Sequence, residues 1–160
     1  MIRYLIHKLK VSVYAKRYTL LSNIAEGVHG DGCITKKVDA VQALRNVLVK
    51  IGSDIDHVAV TTAATEIPLG VCDDEAAAIE DNINVQILGN KQGTILVRAH
   101  AAIGIGAFVV PAAAGRAQTI VGLTGVTTYI IGIALNAASN QDDLVEIAHC
   151  VPVQRVIAGG

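Results

Sequence analysis

The sequence predicts a mainly β fold: a small β-barrel or β-sandwich with one short helix and an extended N-terminal arm. Three observations lead there. Apolar residues make up 52% of the 160-residue chain but aromatics only 3%, so the core has to be packed from Val, Ile, Leu and Ala, a set rich in the branched side chains that suit pleated surfaces. Apolar and polar residues alternate over short runs, the period of a half-buried strand. Gly, Asn and Asp cluster between those runs, where the chain must turn.

In chain order, residues 1–21 read as a basic arm in which Ile2, Tyr4, Ile6, Leu9, Val11 and Val13 are interleaved with Arg3, Lys8 and Lys10. Residues 22–160 read as a single β domain. Gly27 to Gly32 is a loop, and the spacing of Val38, Val41, Leu44 and Arg45 predicts a short helix over 36–47 with Thr35 as its cap. Val47–Ile51 reads as a strand closed by Gly52-Ser53-Asp54. Alternation then marks strands around Val58/Val60, Ile83/Val85/Ile87, Ile95/Val97/Ala99 and Val145/Ile147, although Leu96 breaks the polar face of its run. Gly89-Asn90-Lys91 is a turn, and Phe108-Val109-Val110 is a strand closed by Pro111. The unbroken apolar run from Tyr129 to Leu135 predicts a strand buried on both faces.

An internal echo runs through this pattern. Displaced by 62 residues, Leu69-Gly70-Val71 falls on Ile131-Gly132-Ile133, Ala76 on Ala138, Glu80-Asp81 on Asp142-Asp143, and Ile83/Val85 on Val145/Ile147. The two copies span about 66–88 and 128–150 and suggest a pseudo-symmetric small barrel or sandwich. They are too few and too short for a solenoid.

Charge is distributed unevenly. Residues 1–50 hold nine Lys/Arg and three Asp/Glu, against four and eleven in the remainder. A basic arm on an acidic body favours docking onto an acidic protein surface, and no nucleic-acid reader motif accompanies it. Tyr combines contact area with a polar tip, so Tyr4, Lys8, Lys10, Tyr14, Arg17 and Tyr18 are the expected contact residues. Cys33, Cys72 and Cys150, widely spaced and without a CxxC pair, fit reduced thiols rather than a disulfide or zinc framework. The uncharged stretch from Ala117 to Gln141 is crowded with Thr and Gly and reads as buried strands rather than a membrane span.

Catalytic chemistry finds little support. His29-x-Asp31-x-Cys33 places three ligand types at alternate positions, but the glycines between them suit a loop and no second cluster completes a metal site. Gly27-x-x-Gly30-x-Gly32 lacks the Lys-Ser/Thr of a phosphate loop. Asp54-x-Asp56-His57 is explained by turn formation. The acidic runs Asp73-Asp74-Glu75 and Asp142-Asp143 fall in the loops of the two echo copies and read as solvated. No nucleophile arrangement is present. No catalytic residue, metal or cofactor is expected.

Ile67-Pro68-Leu69-Gly70-Val71, the alanine-rich acidic loop after it and Ile83-Asn84-Val85 resemble the capsid cement (head decoration) proteins of tailed bacteriophages. So do Gly93-Thr94-Ile95-Leu96-Val97 with Ala101-Ala102-Ile103 and Gly106, and Gly132-Ile133-Ala134-Leu135 with Ala137-Ala138 and Leu144-Val145-Glu146-Ile147. The resemblance covers roughly residues 45–150; the basic start, 1–17, departs from it. It implies a structural virion protein, made in the host cytoplasm, that binds the outer surface of the major capsid protein lattice and stabilises it. A homotrimer is implied as well, with neither nucleic acid nor membrane as partner. A shell- or tube-forming virion component, a cellular β-barrel accessory module and a small metal-dependent hydrolase are the other readings the residues leave open.

Overall fold

The computed structural model describes residues 31–158. The strands are β1 (Cys33–Val38), β2 (Val47–Ile51), β3 (His57–Val60), β4 (Gly70–Cys72) and β5 (Asn82–Ile87), then β6 (Ile95–Arg98), β7 (Phe108–Pro111), β8 (Ala117–Thr119), β9 (Thr127–Ala134) and β10 (Leu144–Val156). The first five close into a barrel in the order β1-β3-β2-β4-β5. The second five form a sheet in the order β6-β10-β9-β7-β8. A single parallel bridge between Ala99 and Ala117 joins the ends of that sheet, so it too curls into a barrel.

The two units share one pairing scheme. Gly70 faces Ile87 and Val71 faces Gln86 across β4 and β5; 62 residues on, Gly132 faces His149 and Ile133 faces Ala148 across β9 and β10. Lys36 opposite Ile83 becomes Val97 opposite Val145, and Leu48 opposite Val71 becomes Phe108 opposite Ile133. Even the connecting loops repeat. Gln42 bridges Ala76 as Ile103 bridges Ala138. The Asn84 N–H donates to Asp74 Oδ2 (2.8 Å) as the Glu146 N–H donates to Asn136 Oδ1 (2.6 Å). Glu80 and Asp142 both take left-handed φ, 66° and 69°. The acidic loops follow the same displacement: Asp142-Asp143 answers Glu80-Asp81, as the echo predicts, while Asp73-Asp74 answers Leu135-Asn136.

Glycine is required where β4 meets β5 and β9 meets β10. A Cβ on Gly132 would stand 2.5 Å from the Ala148 carbonyl oxygen, and one on Gly70 would collide with that of Gln86. This close backbone approach is what the echoed glycine encodes.

Alternation sets what lies inside each barrel. Val47, Val49, Val58, Cys72, Ile83 and Val85 fill the first, and Ile95, Val97, Val109, Ile131, Val145 and Ile147 fill the second. Leu48 and Val71 point outward from the first barrel, yet they pack with the second core and are fully buried. The two units therefore share an interior. The seam is hydrogen-bonded as well. In the first barrel the Lys37 N–H donates to Asp56 O (2.9 Å); at the corresponding place in the second, the Arg98 N–H donates across to Asn46 O (2.9 Å). Gly115 N–H to Thr61 O (2.7 Å) and Thr128 Oγ1 to Ala64 O (2.8 Å) add to it.

Two sequence expectations are corrected. Residues 36–47 contain no helix: Lys36–Val38 ends β1, paired with β5, and Gln42 forms its bridge to Ala76. Val38 is buried, Leu44 half-buried and Val41 exposed, so the apparent helical face was the accidental spacing of a strand and a connector. Pairing with β5 outweighs local propensity. Among the described residues the one helical element is a 3₁₀ turn, Ala113–Gly115. The run from Tyr129 to Leu135 is not buried on both faces either, since Ile133 and Leu135 are exposed. Among the described residues no helix is long and apolar enough to cross a membrane.

Candidate interaction surface

The expected contact residues Tyr4, Lys8, Lys10, Tyr14, Arg17 and Tyr18 lie outside the described residues, as does His29 of the His29-x-Asp31-x-Cys33 run. Asp31 Oδ1 accepts the Cys33 N–H at 3.1 Å, a turn contact. Cys33, Cys72 and Cys150 are free thiols, and burial pushes that of Cys72 upward.

The polar cluster most like a catalytic arrangement surrounds His57. Its Nδ1 lies 2.6 Å from Asp54 Oδ1 and its Nε2 lies 2.8 Å from Glu80 Oε1. Lys37 Nζ donates to the other Glu80 oxygen at 2.9 Å. Asp54 first and Glu80 second hold the imidazole above its ordinary range, while His57 holds Asp54 below its own, and Lys37 with His57 does the same to Glu80. A ring with a carboxylate on each nitrogen has no lone pair to offer a substrate, so this group ties the start of β3 to the left-handed Glu80 loop. Asp54 Oδ1 also accepts the Asp56 N–H at 2.8 Å, as the turn reading of Asp54-x-Asp56-His57 requires. The second barrel has a latch at the same place: Arg116 donates to both carboxylate oxygens of Asp142, at 2.8 and 3.1 Å. Arg116 depresses the Asp142 carboxyl in turn.

Asp73 accepts from the side-chain amides of Asn84 and Gln86, at 3.0 and 2.8 Å, a polar network on the open face of the first barrel. An open groove of about 490 Å³ is walled by Ile51, Ile67, Pro68 and Leu69, with Lys50 and Glu66 paired at its rim (2.5 Å). These groups are spent on one another and leave no convergent set aimed at a ligand.

The more informative surface is the outer face of the second barrel. Phe108 and Ile133 sit opposite one another across β7 and β9 and are 45% and 40% exposed. Ala148 lies next to Ile133 on β10, and Leu96 lies opposite Glu146 on β6. Leu135 follows β9, with its N–H on Glu146 O (2.8 Å). Leu96, Leu135 and Ala148 are all exposed.

The architecture has a solved counterpart. The chain is similar in structure to the head fiber gp8.5 N base of bacteriophage phi29, with a TM-score of 0.54 and 20% sequence identity. The likeness covers 75% of this chain and 94% of that one. At this identity it shows a shared fold. No protein family matches the sequence, and no curated protein matches it.

One member of this face, Leu96, is visible in the sequence as a break in polar alternation. Phe108 and Ile133 carried no such signal, because outward apolar residues in Phe108-Val109-Val110 and in an unbroken apolar run look like core.

Proposed function

We propose that this chain is a structural component of a tailed-phage virion, attached to the outside of the head and stabilising it by gripping other protein subunits. The observation that carries this reading is the fold likeness to a phage head fiber base, which spans nearly all of that domain. The resemblance of residues 45–150 to capsid cement proteins supports it independently. Side chains paired among themselves, and apolar surface left open, suit a protein that binds proteins rather than one that transforms a small substrate.

The partner in this reading is the lattice of major capsid protein, with residues 1–21 supplying basic and Tyr contacts. Contacts repeated around a symmetric shell make individually weak contacts slow to release. The likeness to a fiber base also favours a second form of the same role, in which the double barrel is the foot of a projection rather than a flat cement.

The test is to mix purified chain with purified heads of the phage that encodes it and sediment them. Cosedimentation at a saturating, fixed ratio to major capsid protein, weakened by removal of residues 1–21, is expected. Failure to bind heads, together with absence of the chain from purified virions, would overturn the reading. Electron microscopy of the bound heads separates flat decoration from a projecting foot.

A further inference from the structure

We infer that the outer face of the second barrel, centred on Phe108 and Ile133, is an interface covered by a second copy of this chain. The inference goes beyond the virion reading and does not rest on it.

The internal duplication supplies the comparison. The positions that correspond to Phe108 and Ile133 are Leu48 and Val71. In the first barrel these outward side chains are completely covered, and what covers them is a barrel of the same fold, the second unit. In the second barrel the same two positions remain apolar and are left open. The molecule thus shows how such a face is satisfied, and then presents it once more without a neighbour among the described residues.

The surrounding positions point the same way. The rest of that face in the first barrel is polar: Thr35, Asp73 and Gln86 meet solvent or one another. Their counterparts in the second barrel are Leu96, Leu135 and Ala148. A sheet face that stays in water keeps its polar alternation. Here the alternation is abandoned at three places, on the one unit whose face the described residues leave uncovered. Glu146 lies within the patch, its carboxylate accepting the Thr94 hydroxyl at 2.5 Å, and Arg98, outward on the strand of Leu96, is turned to the Arg45 and Asp142 carbonyls at its edge. A face with so little charge can meet its own copy without like-charge repulsion, as self-association requires.

The test uses the full-length protein alone, without heads, so its failure and the failure of head binding are separate results. Sedimentation velocity across a range of concentrations compares the natural chain with Leu96→Thr/Leu135→Asp/Ala148→Gln, which installs the residues that the first barrel carries. These positions are exposed, so the variant is expected to keep its circular dichroism and unfolding midpoint. A second variant, Phe108→Ser, checks the centre of the face. The natural chain is expected to self-associate and both variants to do so more weakly, the triple by on the order of a hundredfold. Backbone amides of β7 and β9 should gain protection from hydrogen exchange as concentration rises.

A chain that is monomeric at every concentration overturns the inference. So does an oligomer that is unchanged in both variants. If the natural chain is monomeric but the face is protected until residues 1–30 are removed, the chain's own N-terminal segment is the occupant instead. If the face is unprotected in the monomer and becomes protected only on heads, the occupant is a capsid subunit.

Discussion

The first and second barrels follow the same pairing scheme, yet each position means something different in each. Leu48 and Phe108 have equivalent strand positions, the same outward orientation and equivalent cross-strand neighbours, Val71 and Ile133. One is fully buried and the other 45% exposed. The same holds for the latches: His57 lies between Asp54 and Glu80 where Arg116 grips Asp142. Strand pairing is therefore conserved between the units, while burial is set by what each unit packs against and titration by the residues each latch carries.

The largest expected effect separates the two outward positions. Leu48→Ala removes buried volume at the seam of both cores and should cost about 2–5 kcal/mol, measured by urea unfolding. Phe108→Ala, in dilute monomer, should cost less than about 1 kcal/mol, in the range of a surface change. Equal losses would mean that the two faces are covered to the same degree.

A second pair of substitutions should behave alike. Gly70→Ala and Gly132→Ala each drive a methyl group into the carbonyl of the neighbouring strand, and each should destabilise by about 1–3 kcal/mol, as over-packing does. A neutral result at either position would show that the close approach is not shared by the two barrels.

Smaller still is the contrast between the latches. Arg116→Met should lower stability by about 1 kcal/mol or less at any pH above the carboxylate range, because Arg stays charged and Asp142 is held below its ordinary value. His57 behaves oppositely with rising pH. Its folded value is raised, so its stabilisation is fully present below the unfolded value of about 6.5 and is lost as pH climbs through the folded value. Asp54 and Glu80 are lowered, so their share appears above their unfolded values of about 4 and is lost on acidification. The first latch is therefore strongest between about pH 4.5 and 6.5. Urea midpoints should fall from pH 6 to about pH 9 in the natural chain and fall less in His57→Gln; identical slopes would remove His57 from the account.

Much of the fold was legible in sequence because its signals are local. Alternation at Ile83/Val85/Ile87 and Val145/Ile147 marks strands whichever sheet they join, and Gly70 and Gly132 mark a close approach through the absence of a side chain. The region 36–47 misled because Val38, Val41 and Leu44 mimic a helical face, and only the distant β5 decides in favour of strand. The exposed face was least legible. Periodicity tells which side of a strand a residue occupies, but Leu48 and Phe108 share a side, and only the neighbouring barrel distinguishes them.

The hydrogen bond from Arg98 to Asn46 bears on the order in which the molecule comes into being. All five strands of the first barrel are contiguous in the chain, end at Ile87 and pair with one another. The second barrel reaches back to the first: one of its edge donors is satisfied by Asn46, and its interior is completed by Leu48 and Val71, which it covers in turn. On a ribosome the N-terminal unit emerges first. By the time β6 leaves the exit tunnel, the acceptor and the two side chains it needs are already in place. Synthesis therefore presents the Asn46 acceptor and the Leu48 and Val71 side chains before the strands that use them, and the cover those two side chains need arrives only with the second barrel.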